Sequence, residues 1–92
     1  MQSNFMLGEI VVTEDAFAAL HRMPLDLVAR HAVNDHGLAS ARELKQNALA
    51  MQTGGAIVSR YVIDPTQPSK GRVMVITQKS WGSTTVQLES EL

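Results

Sequence analysis

The amino-acid sequence predicts an α+β fold in the order β-α-α-α-β-β-β, with three helices packed on one face of a small antiparallel sheet. Its 92 residues are the length of one domain, so we treat residues 1–92 as a single α+β domain. Apolar residues recur at helical spacing in the first half, whereas β-branched residues dominate the second half. Consecutive strands joined by short loops favour an antiparallel meander, on which the helices can pack.

The first strand is predicted over residues 6–13, because residues 10–12 are the β-branched run Ile-Val-Val. Thr13 is the predicted N-cap of a short first helix. The acidic residues 14 and 15 then lie in the first turn of that helix, where the helix dipole favours negative charge.

The second helix is predicted to begin at Pro24, whose fixed φ suits the first helical position. Its buried stripe follows helical spacing and comprises Leu25, Val28, Ala29 and Ala32. This stripe leaves Arg30 and His31 off the buried face, near the end of the helix. Asn34 or Gly37 supplies the positive φ that ends it.

The third helix has the clearest start signal in the chain, since Ser40 and Glu43 have the spacing of a capping box. Its inward-facing residues are predicted to be Ala41, Leu44, Ala48 and Met51. Gly54 and Gly55 end the helix and lead directly into a strand.

Three further strands are predicted over residues 56–63, 72–79 and 83–88, where β-branched residues are frequent. A long loop over residues 64–71 and a tight turn at residues 80–82 join them. The last strand is predicted to be an edge and therefore a place where another chain can pair. A homodimer through this strand, or through an exposed sheet face, is left open.

The composition excludes several classes of protein. The absence of cysteine excludes a disulfide scaffold, a cysteine-based zinc finger and a thiol nucleophile, and it fits a reducing cytosol. A net charge of −1 excludes a strongly basic nucleic-acid binder. No apolar run approaches the roughly 18 residues of a membrane span. We therefore expect a cytoplasmic protein with no membrane partner.

The densest polar cluster comprises Arg30, His31, Asp35 and His36. A histidine oriented by a carboxylate can serve as a general acid or base. However, cationic side chains at a helix C-terminus also complement the dipole, and no nucleophile accompanies this cluster. We therefore favour a helix cap. An enzyme that used His31, Asp35 and His36 would require these groups to converge on one pocket.

Metal binding is not predicted. His21, His31 and His36 are separated by ten and five residues, whereas ligand pairs on one helix face are three or four apart. No catalytic residue, metal or cofactor is therefore expected.

Basic side chains also recur along the predicted sheet, at Arg60, Lys70, Arg72 and Lys79. Such a row can follow a phosphate backbone, with Tyr61 or Trp81 as a stacking platform, or it can be an ordinary solvated face. Trp81 itself fits two roles. It is either a lid that folds over the end of the sheet or a contact residue of the kind enriched in binding hot spots.

Several segments resemble a known family in their order and spacing. They are residues 7–13, Pro24-Leu25 with Ala29-Arg30-His31, residues 47–55, Ser59-Arg60-Tyr61, Val75-Ile76-Thr77 and residues 84–88. The chain is similar to the short bacterial "plasmid-related proteins" carried on plasmids and integrative elements. It departs from that pattern at residues 34–37, where the family usually has Gly-Asp-Trp-Gly, and in its longer loop at residues 64–71. The resemblance implies a mobile-element setting and carries no activity.

Together these features predict a small non-enzymatic interaction protein of a mobile genetic element, such as a plasmid or phage. In its sharpest form it is an anti-defence inhibitor, anti-CRISPR or anti-restriction, that binds and occludes a host effector complex. The alternative is a small nucleic-acid-binding regulator of the element. The predicted contact residues are Trp81, Arg60, Arg72, Lys70, Arg30, His31, Asp35 and His36.

Overall fold

A computed structural model describes residues 5–92 and confirms the α+β class and the predicted order of elements. The strands and helices are β1 (Glu9–Val12), α1 (Glu14–Leu20), α2 (Leu25–Ala32), α3 (Ala41–Thr53), β2 (Ile57–Val62), β3 (Arg72–Thr77) and β4 (Ser83–Leu88). Short 3₁₀ turns follow β3 and β4 and precede β3. The first four residues of the predicted domain lie outside the described part of the chain.

The sheet is mixed, with the strand order β1-β4-β3-β2. The predicted meander is present, because β2–β3 and β3–β4 are antiparallel, but β1 runs parallel to β4. The prediction of an antiparallel sheet therefore fails at β1, and the predicted edge strand β4 is an interior strand. Local patterns identify partners that follow one another in the chain, whereas three helices separate β1 from the other strands.

The close approach of β1 to the turn before β4 depends on glycine. Gly8 has a φ of 65°, and a Cβ at this position would lie 2.2 Å from the carbonyl oxygen of Gly82. The next amide, that of Glu9, donates to the same oxygen at 3.0 Å. A side chain at position 8 would therefore disrupt the start of the parallel pair.

The helices pack on one face of the sheet around two hydrophobic clusters. The larger cluster comprises Ala16, Leu27, Val28, Tyr61, Val73, Val75 and Val86. In the smaller one, Phe5, Ala50 and Ile57 pack with Trp81. The Trp81 indole is half-buried there, 5.8 Å from the Phe5 ring, and its Nε1 donates to the carbonyl of Gly55 at 2.9 Å. This placement matches the predicted lid.

The sequence-based assignment of the buried face of α2 is only partly right, since Val28 and Ala32 are buried as predicted. Leu25 is 61% exposed, and the buried residues are Leu27, Val28, His31 and Ala32. His31, expected off the buried face, is fully buried. Apolar periodicity cannot reveal this arrangement, because a histidine belongs in a core only where both ring nitrogens find partners.

The buried face of α3 also differs from the prediction. The capping box is confirmed, because the Ser40 side chain accepts from the Glu43 amide and the Glu43 side chain accepts from the Ser40 amide. However, Leu44 is 46% exposed and Ala48 is exposed, while Asn47 and Ala50 face inward.

Asn47 explains why α3 turns a different face inward from the predicted one, because its carboxamide pairs with the outer edge of β2. Its Nδ2 donates to the Val58 carbonyl at 2.8 Å, and its Oδ1 accepts from the Val58 amide at 2.9 Å. The segment around Gly37 covers the next residue of the same edge through an isolated bridge to Arg60. These contacts satisfy backbone groups that an edge strand otherwise exposes.

The other face of the sheet carries a row of side chains that the strand register places side by side. Val11, Thr85, Ile76 and Val58 lie across the four strands in this row. A homodimer through this face stays a prediction.

Candidate binding surface

A chain of buried polar side chains joins α2 to the sheet. His31 Nδ1 lies 2.6 Å from Ser59 Oγ, and His31 Nε2 lies 2.9 Å from Thr77 Oγ1. His36 Nδ1 reaches the same Ser59 oxygen at 2.6 Å. His31, Ser59 and Thr77 have no exposed surface, and His36 is 7% exposed.

The far end of this chain is a backbone carbonyl, which fixes the direction of the bonds. Thr84 Oγ1 lies 2.7 Å from the Leu7 carbonyl oxygen and 2.7 Å from Thr77 Oγ1. A carbonyl only accepts, so Thr84 donates to it and accepts from Thr77. Thr77 in turn accepts from His31 Nε2–H. The neutral His31 ring therefore presents Nδ1 as an acceptor to Ser59.

The same reasoning fixes the protons at the other end. Ser59 donates its single proton to His31 and therefore accepts from Nδ1–H of His36. His36 Nε2 then carries a free lone pair. Burial lowers the pKa of His31 to about 4, with a smaller contribution from His36, and burial also lowers the pKa of His36. We call this series, from His36 to the Leu7 carbonyl, the buried hydrogen-bond chain.

The convergence of the two histidines does not form the catalytic arrangement considered from the sequence. His31 and His36 meet at Ser59, but Asp35 points elsewhere and pairs with Arg30. Because Ser59 is fully buried, its hydroxyl has no access to a substrate.

Arg30 and Asp35 close the C-terminal end of α2. Arg30 Nε lies 2.7 Å from Asp35 Oδ2, and its guanidinium lies 4.7 Å from the centre of the Tyr61 ring. The Tyr61 hydroxyl donates to the Asp35 carbonyl at 2.6 Å. Hydrogen bonds from Arg30 lower the pKa of the Asp35 carboxyl, while the Arg30 pKa is raised. Arg30 therefore pairs with a carboxylate in the turn after α2, and among the described residues no hydrogen bond joins its side chain to the last carbonyls of the helix, as the cap favoured from the sequence would require.

Arg60 lies at the centre of a second ionic network, which joins β2, α3 and the C-terminal turn. Its guanidinium donates to the Glu43 carboxylate at 2.8 to 3.1 Å and to Glu89 at 2.6 Å. The bonds from Arg60 hold the pKa of Glu43 below its usual value. Two carboxylates bind different nitrogens of the guanidinium, which restrains its orientation, and the Arg60 side chain is only 20% exposed.

Two adjoining clefts run along this side of the molecule and share Leu38 and Arg60. The first, of about 550 Å³, is lined by Leu38, Ser40, Arg42, Glu43, Gln46, Arg60, Arg72 and Glu89. The second, of about 530 Å³, lies between α2 and β2. Its charged lining residues are Arg22, Asp26, Arg30, Asp35 and Arg60. All five arginines of the chain therefore line the two clefts, which we call the arginine surface.

The arginine surface contains both paired and unpaired cations. Arg22, Arg30 and Arg60 are paired with carboxylates. Within residues 5–92, no carboxylate lies at salt-bridge distance from Arg42 or Arg72. Leu38 lies where the clefts meet and is 48% exposed, so an apolar side chain stands at the centre of a charged surface.

The structure brings together four of the eight predicted contact residues, namely Arg30, Asp35, Arg60 and Arg72. The other four lie elsewhere. Lys70 lines a third cleft together with Arg72, and its Nζ lies 3.7 Å from Asp64 Oδ2. Trp81 forms the lid at the other end of β3. His31 and His36 are buried, so His31 offers no surface to a partner and His36 offers only its free edge.

The predicted basic row is interrupted. Arg72 is the first residue of β3 and Lys79 lies beyond its last residue, so the six residues of the strand, about 20 Å, separate them. Between them, Arg60 is bound by two carboxylates.

Sequence reasoning did not single out Arg22, Arg42 or Leu38 as site residues. Leu38 joins the surface because its amide donates to the Arg60 carbonyl at 2.7 Å, which aligns residues 36–38 with β2. No local pattern signals this pairing. The glycine at position 37 is the one hint that the chain approaches another backbone closely there, since a Cβ would lie 2.3 Å from the same carbonyl oxygen.

No protein-family model, curated protein or solved structure was found to match this chain, so the resemblance to plasmid-related proteins stays a prediction. Among residues 5–92, no helix is long and apolar enough to cross a membrane. The same residues contain no group of three acidic or histidine side chains placed to hold a metal ion.

Proposed function

We propose that the chain is a small non-enzymatic binding module that engages a protein partner through the arginine surface. The observation that carries this proposal is the gathering of all five arginines around the exposed Leu38. Arginine is enriched at binding hot spots, and a central apolar side chain surrounded by polar groups is typical of interfaces. The buried polar groups, by contrast, are committed to contacts within the chain.

The ionic networks also favour binding. Arg60 is held by Glu43 and Glu89, so little side-chain entropy is lost when a partner covers it. Arg42 and Arg72 offer charges that a partner carboxylate can meet. The proposed partner surface therefore has acidic groups facing the first cleft and an apolar recess for Leu38.

We infer, more specifically, that the protein is an anti-defence inhibitor of a mobile element and that it occludes a CRISPR or restriction complex in the bacterial cytoplasm. Support comes from the resemblance to plasmid-related proteins and from a binding surface that needs no catalytic group.

The test replaces the central apolar side chain by a charge. Leu38→Glu should abolish capture of a defence complex from a lysate and abolish protection of phage in plating assays on a strain that carries that defence system. Phe17→Glu is the matched control, because Phe17 is exposed to a similar extent (46%) and lies on α1, outside the two clefts. The proposal fails if wild-type protein protects no phage and captures no defence protein. If L38E captures the complex and protects phage as well as F17E does, the arginine surface is not the binding site.

The nucleic-acid alternative has one observation in its favour, the unpaired Arg42 and Arg72 in the same cleft. Two phosphate contacts predict that log K falls with log salt with a slope of about −2. A gel-shift series at rising salt with wild-type protein and the double variant Arg42→Glu/Arg72→Glu separates the two functions. A salt-dependent shift lost in the double variant supports a regulator, whereas no shift at low salt excludes it.

A further inference from the structure

The buried hydrogen-bond chain ends at an unused acceptor, the Nε2 atom of His36. This ring borders a cleft of about 180 Å³ between α3 and the turn after α2. The lining residues are Asn34, His36, Leu44, Asn47, Ala48 and Met51. None of them lines the arginine surface, so this cleft is a separate site.

The free edge of His36 faces this cleft. Its Nδ1 is engaged by Ser59 in the interior, which directs the opposite edge of the ring outward. No hydrogen bond joins Nε2 to another described residue. In the described part of the chain, every fully buried side-chain nitrogen or oxygen has a hydrogen-bond partner. Because Nε2 has none, it is not fully buried and must be accessible to solvent. A residue that is 93% buried therefore presents one acceptor to the cleft.

The lining residues define the chemistry of a ligand. All six are uncharged, and the Asn47 carboxamide is fully engaged by the Val58 backbone. Leu44, Ala48 and Met51 supply apolar walls, and a methionine sulfur packs favourably against aromatic rings. Burial lowers the pKa of His36, so the ring is neutral near pH 7 and accepts a hydrogen bond there. A ligand that fits is neutral and largely apolar and has one hydrogen-bond donor.

The size of the cleft sets the size of that ligand. A cavity of about 150 Å³ lined by apolar side chains is enough to bind benzene. The cleft beside His36 is slightly larger and therefore accommodates one six-membered ring with a hydroxyl group.

We propose that this cleft binds a phenol group, with the aromatic ring between Leu44, Ala48 and Met51 and the hydroxyl donating to Nε2 of His36. This goes beyond the proposed function, because it uses a different surface. The same chemistry is offered by a free phenolic compound and by a tyrosine side chain of a partner.

The test is an NMR titration of the ¹⁵N-labelled 92-residue chain with phenol, observing the imidazole nitrogens and the amides of α3. We expect a saturable shift of the His36 Nε2 resonance. Toluene has the same ring without the donor and should bind about five-fold more weakly, the loss of one neutral hydrogen bond. Toluene binding equal to phenol binding, or no saturable shift with phenol, would overturn the proposal.

A pair of variants on α3 places the ligand. Ala48→Leu fills the cleft with a good helix former and should abolish the shift. Gln52→Leu, one turn further along and outside the cleft, should bind phenol as the wild type does. Phenol binding that survives in A48L contradicts the proposed location. N-acetyltyrosinamide distinguishes the two sources: equal binding supports a tyrosine of a partner, and binding of phenol alone supports a free phenolic ligand.

Discussion

The buried hydrogen-bond chain and the arginine surface are both polar, but their physical construction is opposite. The first uses neutral groups with almost no exposure, and the Leu7 carbonyl determines where each proton lies. The second uses charged side chains, several of them half exposed, as in the pair Arg30 and Asp35. A buried group without its partner costs full desolvation, whereas exposed ion pairs are screened by water. Disruption of the first region should therefore strongly destabilise the fold, and disruption of the second should change its stability little.

The largest effect is expected at Ser59, which serves both histidines. Ser59→Ala leaves His31 Nδ1 and the Nδ1–H of His36 without partners. Two orphaned buried groups should lower the free energy of unfolding by roughly 2–5 kcal/mol, measured by urea denaturation. Ser83→Ala is the control, because Ser83 is only half-buried and makes no side-chain hydrogen bond with the described residues. Equal stability of S59A and S83A would contradict a stabilising role of the buried hydrogen-bond chain.

The next effect is a pH dependence that belongs to the buried region. Folded His31 has a pKa of about 4, against 6.5 for an unperturbed histidine, because burial disfavours its charged form. Between these values the unfolded state binds more protons, so the free energy of unfolding falls as pH falls. The full loss below pH 4 is roughly 3 kcal/mol.

Urea titrations between pH 7 and pH 4.5 check this expectation. Asp35 and Glu43 have lowered pKa values in the folded state, so they remain ionised there over this range, and their contribution is lost at lower pH. An unfolding free energy that stays flat from pH 7 to pH 4.5 would contradict a neutral, buried His31.

The two regions also differ in how far the sequence predicts them. The capping box of Ser40 and Glu43 lies within four consecutive residues, and it was found correctly. By contrast, the partners of His31 are 28 and 46 residues away, and no periodicity connects them to α2. The predicted apolar stripe therefore included Leu25, which is exposed, and missed His31, which is buried.

The arginine surface was predictable only in part, for a related reason. Four of its residues were identified individually, namely Arg30, Asp35, Arg60 and Arg72. The five arginines, however, come from five different places in the fold: the turn before α2, the helices α2 and α3, and the strands β2 and β3. What unites them is the alignment of residues 36–38 with β2, a tertiary contact with no local signature. Sequence reasoning thus identified the residue types and missed the geometry that gathers them.

A third change tests the boundary between the two regions. Asn47→Ala removes both hydrogen bonds to the edge of β2 at Val58, and strand edge groups then depend on water. The expected loss is roughly 1–3 kcal/mol in the free energy of unfolding. Gln46→Ala, its neighbour on the exposed side of α3, should change stability by less than about 0.5 kcal/mol. A loss no larger in N47A than in Q46A would contradict edge protection, because alanine is the better helix former at both positions.

The smallest effect is expected for the ion pair of Arg30 and Asp35. Both side chains are about half exposed, so water screens most of their attraction. A double-mutant cycle with Arg30→Met and Asp35→Asn should give a coupling free energy below about 1 kcal/mol, and it should decrease further in 0.5 M salt. Met retains an apolar stem over Tyr61, which limits the change to the charge. A coupling as large as the Ser59 effect would show that this corner belongs energetically to the core, and partner binding would then no longer be the simplest reason for an exposed, charged surface to gather there.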